Sequence, residues 1–168
     1  PLHLHISIDG SGSMSGKKWV KTQTAVVAIA VAASMVSNLT VAISYRYTGY
    51  ASGGGRYGWH NDHKPLVIVA YDSRKDDISK VKQLFPFLNC PSATPEGLCF
   101  EGILDMMVEG NANQDSYFIN FSDGQPYFSN SKISYSGASA RRHTKKQMEA
   151  MRARGIKVMS YFIGGGYD

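Results

Sequence analysis

The chain has 168 residues, 43% hydrophobic and 18% charged, with a net charge of +5. This is enough for one domain with a two-sided core, and it excludes a disordered chain. The charge is too modest to argue for nucleic acid, and two cysteines, Cys90 and Cys99, are too few for a disulfide framework or a zinc site and read as reduced thiols of an intracellular, cytoplasmic protein.

In chain order, residues 4–9 (LHISID) alternate and stop at a glycine, which predicts a strand. A long helix is predicted over 16–37. Its apolar run 25–36 (AVVAIAVAASMV) is too short to cross a bilayer and fits a buried core helix, so no membrane association is expected. A β-branched and aromatic strand follows at 39–47, then a glycine-rich aromatic loop at 48–64 and a third strand at 65–72. A short helix is expected at 76–85, a loop at 86–94 and a helix at 95–110 opened by Pro95. The fourth strand is 115–123. A polar loop leads to a basic helix ending at Gly155, and the last strand is 156–163.

Strands alternating with helices predict an α/β fold: a doubly wound, mostly parallel sheet with helices on both faces. No helix separates the second and third strands, so the third is expected as an antiparallel edge strand. The chain is expected to be a single domain, 1–168, cut from a longer protein. It shows no secretory signal at its start.

In such sheets ligands bind beyond the carboxyl ends of the strands. This topology gathers Asp9, Ser11 and Ser13 (DGSGS), Thr94 (SATPEG) and Asp123 (FSDGQP) at that edge. Each segment alone could be turn chemistry, since Asp, Ser and Gly dominate turns, but that does not explain why all three meet. An all-oxygen set without His or Cys suits Mg²⁺ or Mn²⁺, which takes about six oxygens.

The three segments resemble the motifs of von Willebrand factor A (vWA) domains. DGSGS is similar to their D-x-S-x-S motif, Thr94 to their second-motif threonine and Asp123 to their third-motif aspartate. The resemblance implies a metal-ion-dependent adhesion site (MIDAS). In it Asp9 anchors the ion through its carboxylate and a water network, Ser11 and Ser13 coordinate directly, Thr94 coordinates directly in one state, and Asp123 acts through water. It also implies a further strand and closing helix, which this chain is expected to lack. Among intracellular members the chain is most similar to domains that serve AAA+ ATPases, of the cobaltochelatase and MoxR-associated types.

A bound ion with an open position could activate water for hydrolysis or accept a carboxylate from another protein. Hydrolysis also needs a base or nucleophile beside the ion. Ser11 and Ser13 are used as ligands, and only His60 and His63 are expected near this edge, so a metal-dependent hydrolase is the alternative reading. The favoured reading is a non-catalytic module whose Mg²⁺ is completed by an Asp or Glu of a protein partner, an AAA+ ATPase among the candidates.

Tyr50, Tyr57, Trp59, His60 and His63 in one loop, and Tyr127, Phe128 and Tyr135 in another, are expected to rim the site as an aromatic interface. His60 and His63 could bind a second metal, but paired histidines in a glycine-rich loop are usually ligand-free. His3 and His5 are expected as satisfied core histidines. The basic residues Arg141, Arg142, Lys145, Lys146, Arg152 and Arg154 are expected to form a solvated helix face rather than a nucleic-acid site.

Overall fold

A computed structural model describes all residues except 51–62, 89–92, 94, 123, 125, 130–131 and 164–168, together with all side chains in the described part except those of Tyr50 and His63. Five strands form one sheet in the order β3-β2-β1-β4-β7. They are β1 (Leu2–Asp9), β2 (Leu39–Tyr50), β3 (His63–Asp72), β4 (Asp115–Ser122) and β7 (Ile156–Phe162). β1 pairs parallel with β2 and β4, β4 pairs parallel with β7, and β3 returns antiparallel to β2 at the edge. The expected α/β fold with its antiparallel edge strand is the observed one.

Two helices cover each face of the sheet. α1 (Lys17–Ser34) buries Trp19, Thr22, Val26, Ala30 and Ala33, the three-to-four-residue spacing of an amphipathic stripe. With α2 (Ser79–Leu84) it closes a core of Ile6, Ile8, Val41, Ile43, Val81 and Phe85. On the other face α3 (Glu96–Ile103) and α4 (Gly137–Ala153) enclose Phe100, Ile103, Phe118, Met151 and Ile156. No helix among the described residues is long and apolar enough to cross a membrane.

The structure shortens two predicted helices. α2 starts at Ser79 rather than 76 because Asp76 and Asp77 bind backbone instead. Asp76 accepts the Asp72 N–H at 2.9 Å, and Asp77 accepts the Ser79 N–H at 2.9 Å in an Asx turn. The helix expected to reach 110 ends at Ile103 and tightens into a 3₁₀ turn over Leu104–Met106. Arg154 donates to the Leu104 carbonyl at 2.9 Å and pairs with Asp105 at 2.8 Å. Arg154 therefore ties the end of α3 to the end of α4, and does not join the solvated basic face.

Within the predicted polar loop a small hairpin is present, β5 (Phe128–Ser129) paired antiparallel with β6 (Ser134–Tyr135). Phe128 and Tyr135 sit opposite each other in this hairpin and are buried with Ala140 against Ala93 and Leu98. The Tyr135 hydroxyl donates to the Ala140 carbonyl at 3.1 Å and lies 3.0 Å from Thr144 Oγ1. These two aromatics, expected at an exposed rim, instead fix the hairpin to α3 and α4.

His3 and His5 are core histidines, as expected. His3 Nδ1 lies 2.7 Å from Thr40 Oγ1, and His5 Nε2 lies 2.8 Å from Ser44 Oγ. Burial, helped by the nearby Arg74 cation, lowers His3 to about 4 against the opposing pull of Asp72. Burial first, then repulsion from His3 and Arg74, lowers His5 to about 4, again opposed by Asp72. The unfolded chain binds these protons near 6.5, whereas the folded chain binds them only near 4. Stability is therefore full above pH 6.5 and falls as the pH drops from 6.5 towards 4. His5 alone accounts for about 3 kcal/mol of that loss at 1.36 kcal/mol per unit. Urea midpoints taken between pH 7 and pH 4 should drop with pH, and a His3→Gln/His5→Gln variant should flatten the slope. An equal slope in the variant would assign the acid sensitivity to other groups.

Candidate metal centre

β1 is the central strand, and its last residue, Asp9, is buried at the carboxyl edge of the sheet. Gly10 follows because β2 runs hard against it. A Cβ there would lie 2.6 Å from the Tyr45 ring and 2.7 Å from the Arg46 carbonyl oxygen, which the Gly10 N–H binds at 2.8 Å. The chain then winds into a 3₁₀ turn in which the Met14 N–H donates to the Ser11 carbonyl at 3.0 Å. Met14 is fully buried, so its side chain pins the turn to the core.

This turn brings the predicted ligands of the first segment together. The Ser11 N–H donates to Asp9 Oδ1 at 2.8 Å, and the Ser11 and Ser13 hydroxyls lie 3.0 Å apart. Asp9 and Ser11 are buried, while Ser13 is exposed. From the end of β4, Ser122 donates to Asp9 Oδ2 at 3.2 Å. Thr94 and Asp123 lie outside the described residues. Their neighbours Glu96 and Ser122 reach this edge through Arg46 and Asp9 respectively.

Of the aromatic rim, Tyr127 is 56% exposed. The backbones of Tyr50 and His63 pair where β2 meets β3. Their side chains, and Tyr57, Trp59 and His60, lie outside the described residues, and so does the His60/His63 pair weighed above as a second metal position. Among the described residues there is no cluster of three or more His, Cys, Asp or Glu side chains of metal-binding geometry.

Directly beneath the DGSGS turn lies a buried polar network that sequence reasoning missed. Arg46, 1% exposed, donates from Nη1 to Ser7 Oγ at 2.8 Å. Its Nη2 reaches Glu96 Oε1 at 3.0 Å and the Phe121 carbonyl at 3.2 Å. Asn120 donates to the same Glu96 oxygen at 2.8 Å, and the Arg46 guanidinium sits 5.3 Å from the centre of the Phe100 ring. One arginine thus ties β1, β2, β4 and the first turn of α3. A signal was present: polar residues recur at every second position in otherwise apolar strands. Ser7 and Asp9 in β1, Ser44 and Arg46 in β2, and Asn120 and Ser122 in β4 share one face.

The charges in this region do not cancel as pairs. Glu96 is matched by Arg46. Among the described residues, the buried Asp9 carboxylate receives the neutral donors Ser11 N–H and Ser122 O–H, and no Lys or Arg pairs with it. A buried carboxylate with no described cation beside it, close to the Ser11, Ser13 and Ser122 hydroxyls, fits a hard divalent cation in both charge and donor chemistry.

No protein-family model matches the chain, and neither does any curated protein. Solved structures do. The pilus adhesin SpaC from Lactobacillus rhamnosus GG, in its open conformation, aligns with a TM-score of 0.63 at 14% identity, over 95% of this chain and 23% of the adhesin. BatB from Bacteroides thetaiotaomicron aligns at 0.60 and 13% identity, over 95% of this chain and 65% of BatB. The manganese-loaded TRAP protein of Plasmodium vivax aligns at 0.58 and 14% identity, over 98% of this chain and 58% of that one. The chain thus spans less than two thirds of each. These likenesses show the fold, which is that of von Willebrand factor A domains.

Proposed function

We propose that this vWA-fold chain is a non-catalytic, divalent-cation-dependent protein-binding module. Asp9, Ser11 and Ser13, with Thr94 and Asp123, hold Mg²⁺ or Mn²⁺, and a partner protein completes the site with an Asp or Glu. One observation carries this reading: Asp9 is 1% exposed, its carboxylate is held by neutral donors, and no described cation pairs with it. Burying an unmatched carboxylate costs on the order of several kcal/mol, and a bound cation offsets that cost.

When bound, the ion supplies a positive centre with a position open to an incoming carboxylate. The chain's own residues supply the shape. Gly10 lets the turn lie against β2, Ser11 N–H and Ser122 O–H orient the Asp9 carboxylate, and Met14 anchors the loop. The described residues place no histidine, cysteine or lysine hydrogen-bonded to Asp9, Ser11 or Ser122 that could serve as a base. This supports binding over hydrolysis. The manganese-loaded relative of the same fold supports the cation. The motifs of the chain favour an AAA+ ATPase as the partner class.

A random peptide library panned on the chain in Mg²⁺ and eluted with EDTA tests this reading. Enriched sequences should share an Asp or Glu whose replacement by Asn or Gln abolishes capture. Capture that persists in EDTA, or turnover of an ester or phosphate substrate that a chelator stops, would overturn it.

A further inference from the structure

α4 precedes β7, which runs parallel to β4, so α4 begins at the carboxyl edge of the sheet where Asp9 lies. Its exposed side carries Arg141, Arg142, Lys145 and Lys146, and Glu149 is its one acidic residue. The sequence suggests an ordinary solvated face. The structure adds a second feature. Arg141 and Lys145 flank a cavity of about 210 Å³ whose walls include Pro126, Met148 and Phe162. The same cavity is lined by Gly124, the residue after Asp123, and by Glu96, whose carboxylate is turned to Arg46. Phe162 is 73% exposed there. Two cations, three apolar side chains and the shoulder of the metal edge therefore share one depression.

We infer that this depression is the second half of the partner-binding surface. It takes an acidic protein segment in which the metal-binding Asp or Glu stands near an apolar side chain and at least one further carboxylate. The apolar side chain fills the space between Met148 and Phe162, and the further carboxylate meets Arg141 and Lys145. This rests on the metal-dependent reading above and specifies its partner. A polyphosphate backbone would use the cations but leave the apolar walls formed by Pro126 and Met148 unfilled. Opposite charges at the rim of an interface mainly set partner choice and encounter rate.

The test uses the whole chain and two fluorescent peptides on a Gly-Ser background. One contains Asp, Leu and two Glu, and the other has both Glu replaced by Gln. Anisotropy is read in Mg²⁺ and in EDTA, with a short single-stranded oligonucleotide as a third probe. Arg141→Glu/Lys145→Glu should weaken the acidic peptide by about tenfold or more and remove its preference over the Gln peptide. Mn²⁺ binding and the circular dichroism spectrum should stay unchanged. Binding that needs Mg²⁺ but ignores the charge reversal overturns this inference and leaves the metal reading standing. Binding that ignores EDTA but is lost on reversal supports the basic surface and removes the metal from it. Tighter binding of the oligonucleotide than of the acidic peptide, or no binding of any probe, overturns the inference.

Discussion

Asp9→Ala is expected to weaken Mn²⁺ binding, followed by electron paramagnetic resonance, by at least about 100-fold, since loss of outer-shell partners alone costs 10–100-fold at metal sites. Asp9 carries the full charge of the first segment, whereas Ser11 and Ser13 contribute only dipoles. Ser11→Ala, Ser13→Ala and Thr94→Ala should each weaken binding less. The variant also loses the Ser11 N–H and Ser122 contacts, yet it removes a buried carboxylate without a described cationic partner. In EDTA its thermal midpoint should therefore match or exceed that of the unmodified chain. Added Mg²⁺ should raise the midpoint of the unmodified chain, because a ligand that binds only the folded state stabilises it. The variant should not respond. This crossing of the two melting orders separates a metal site from a purely structural aspartate, whose loss would lower stability in both buffers. Mn²⁺ binding unchanged in both Asp9→Ala and Thr94→Ala would end the metal assignment.

The second large effect lies one layer deeper. Arg46→Met should destabilise the fold by about 3–5 kcal/mol, the usual cost of removing one partner from a buried ion pair. The substitution leaves Glu96, 6% exposed at its side chain, with Asn120 as its remaining side-chain donor among the described residues, and it frees Ser7 Oγ and the Phe121 carbonyl. Arg46→Lys should recover little, because an ammonium cannot span Ser7 and Glu96 as the planar fork does. Pairing Arg46→Met with Glu96→Gln should restore a substantial share, since the stranded charge is then gone. Urea denaturation of the two single variants and the double variant reads this coupling directly. A loss of less than about 1 kcal/mol in Arg46→Met would mean that water reaches Glu96, contrary to its burial. Because Arg46 joins the ends of β1 and β4 to α3, the destabilised variants should also bind Mn²⁺ more weakly, although Arg46 is not itself a candidate ligand.

Both effects come from one strand face, and the sequence shows its two layers unequally. Asp9, Ser11 and Ser13 are legible because a tight turn needs glycines between its functional residues, and that spacing survives in the linear chain. Arg46 is not. Ser44 and Arg46 repeat the every-second-position polar pattern of β1 and β4, but that pattern alone does not say whether the polar face is buried or solvated. Only the register that sets Asp9 opposite Arg46, and the arrival of Glu96 from α3, turns it inward. Phe128 and Tyr135 failed in the opposite direction. Aromatics in a polar loop read as exposed, but a short antiparallel pairing placed them face to face, and the α3–α4 surface covered them. Arg154 likewise belongs by sequence to a basic face, and by structure it holds the Leu104 carbonyl, fifty residues earlier in the chain.

By itself the sequence determined the alternation of strands and helices, the antiparallel edge strand, the core histidines and the oxygen-rich turn after β1. Each of these depends on periodicity, turn chemistry or side-chain type within one short segment. The tertiary structure alone decided which charges are matched, which aromatics are covered and which cations share a cavity with the metal edge. Those properties depend on contacts between segments far apart in the chain, where burial fixes the cost of a charge and no local pattern records it.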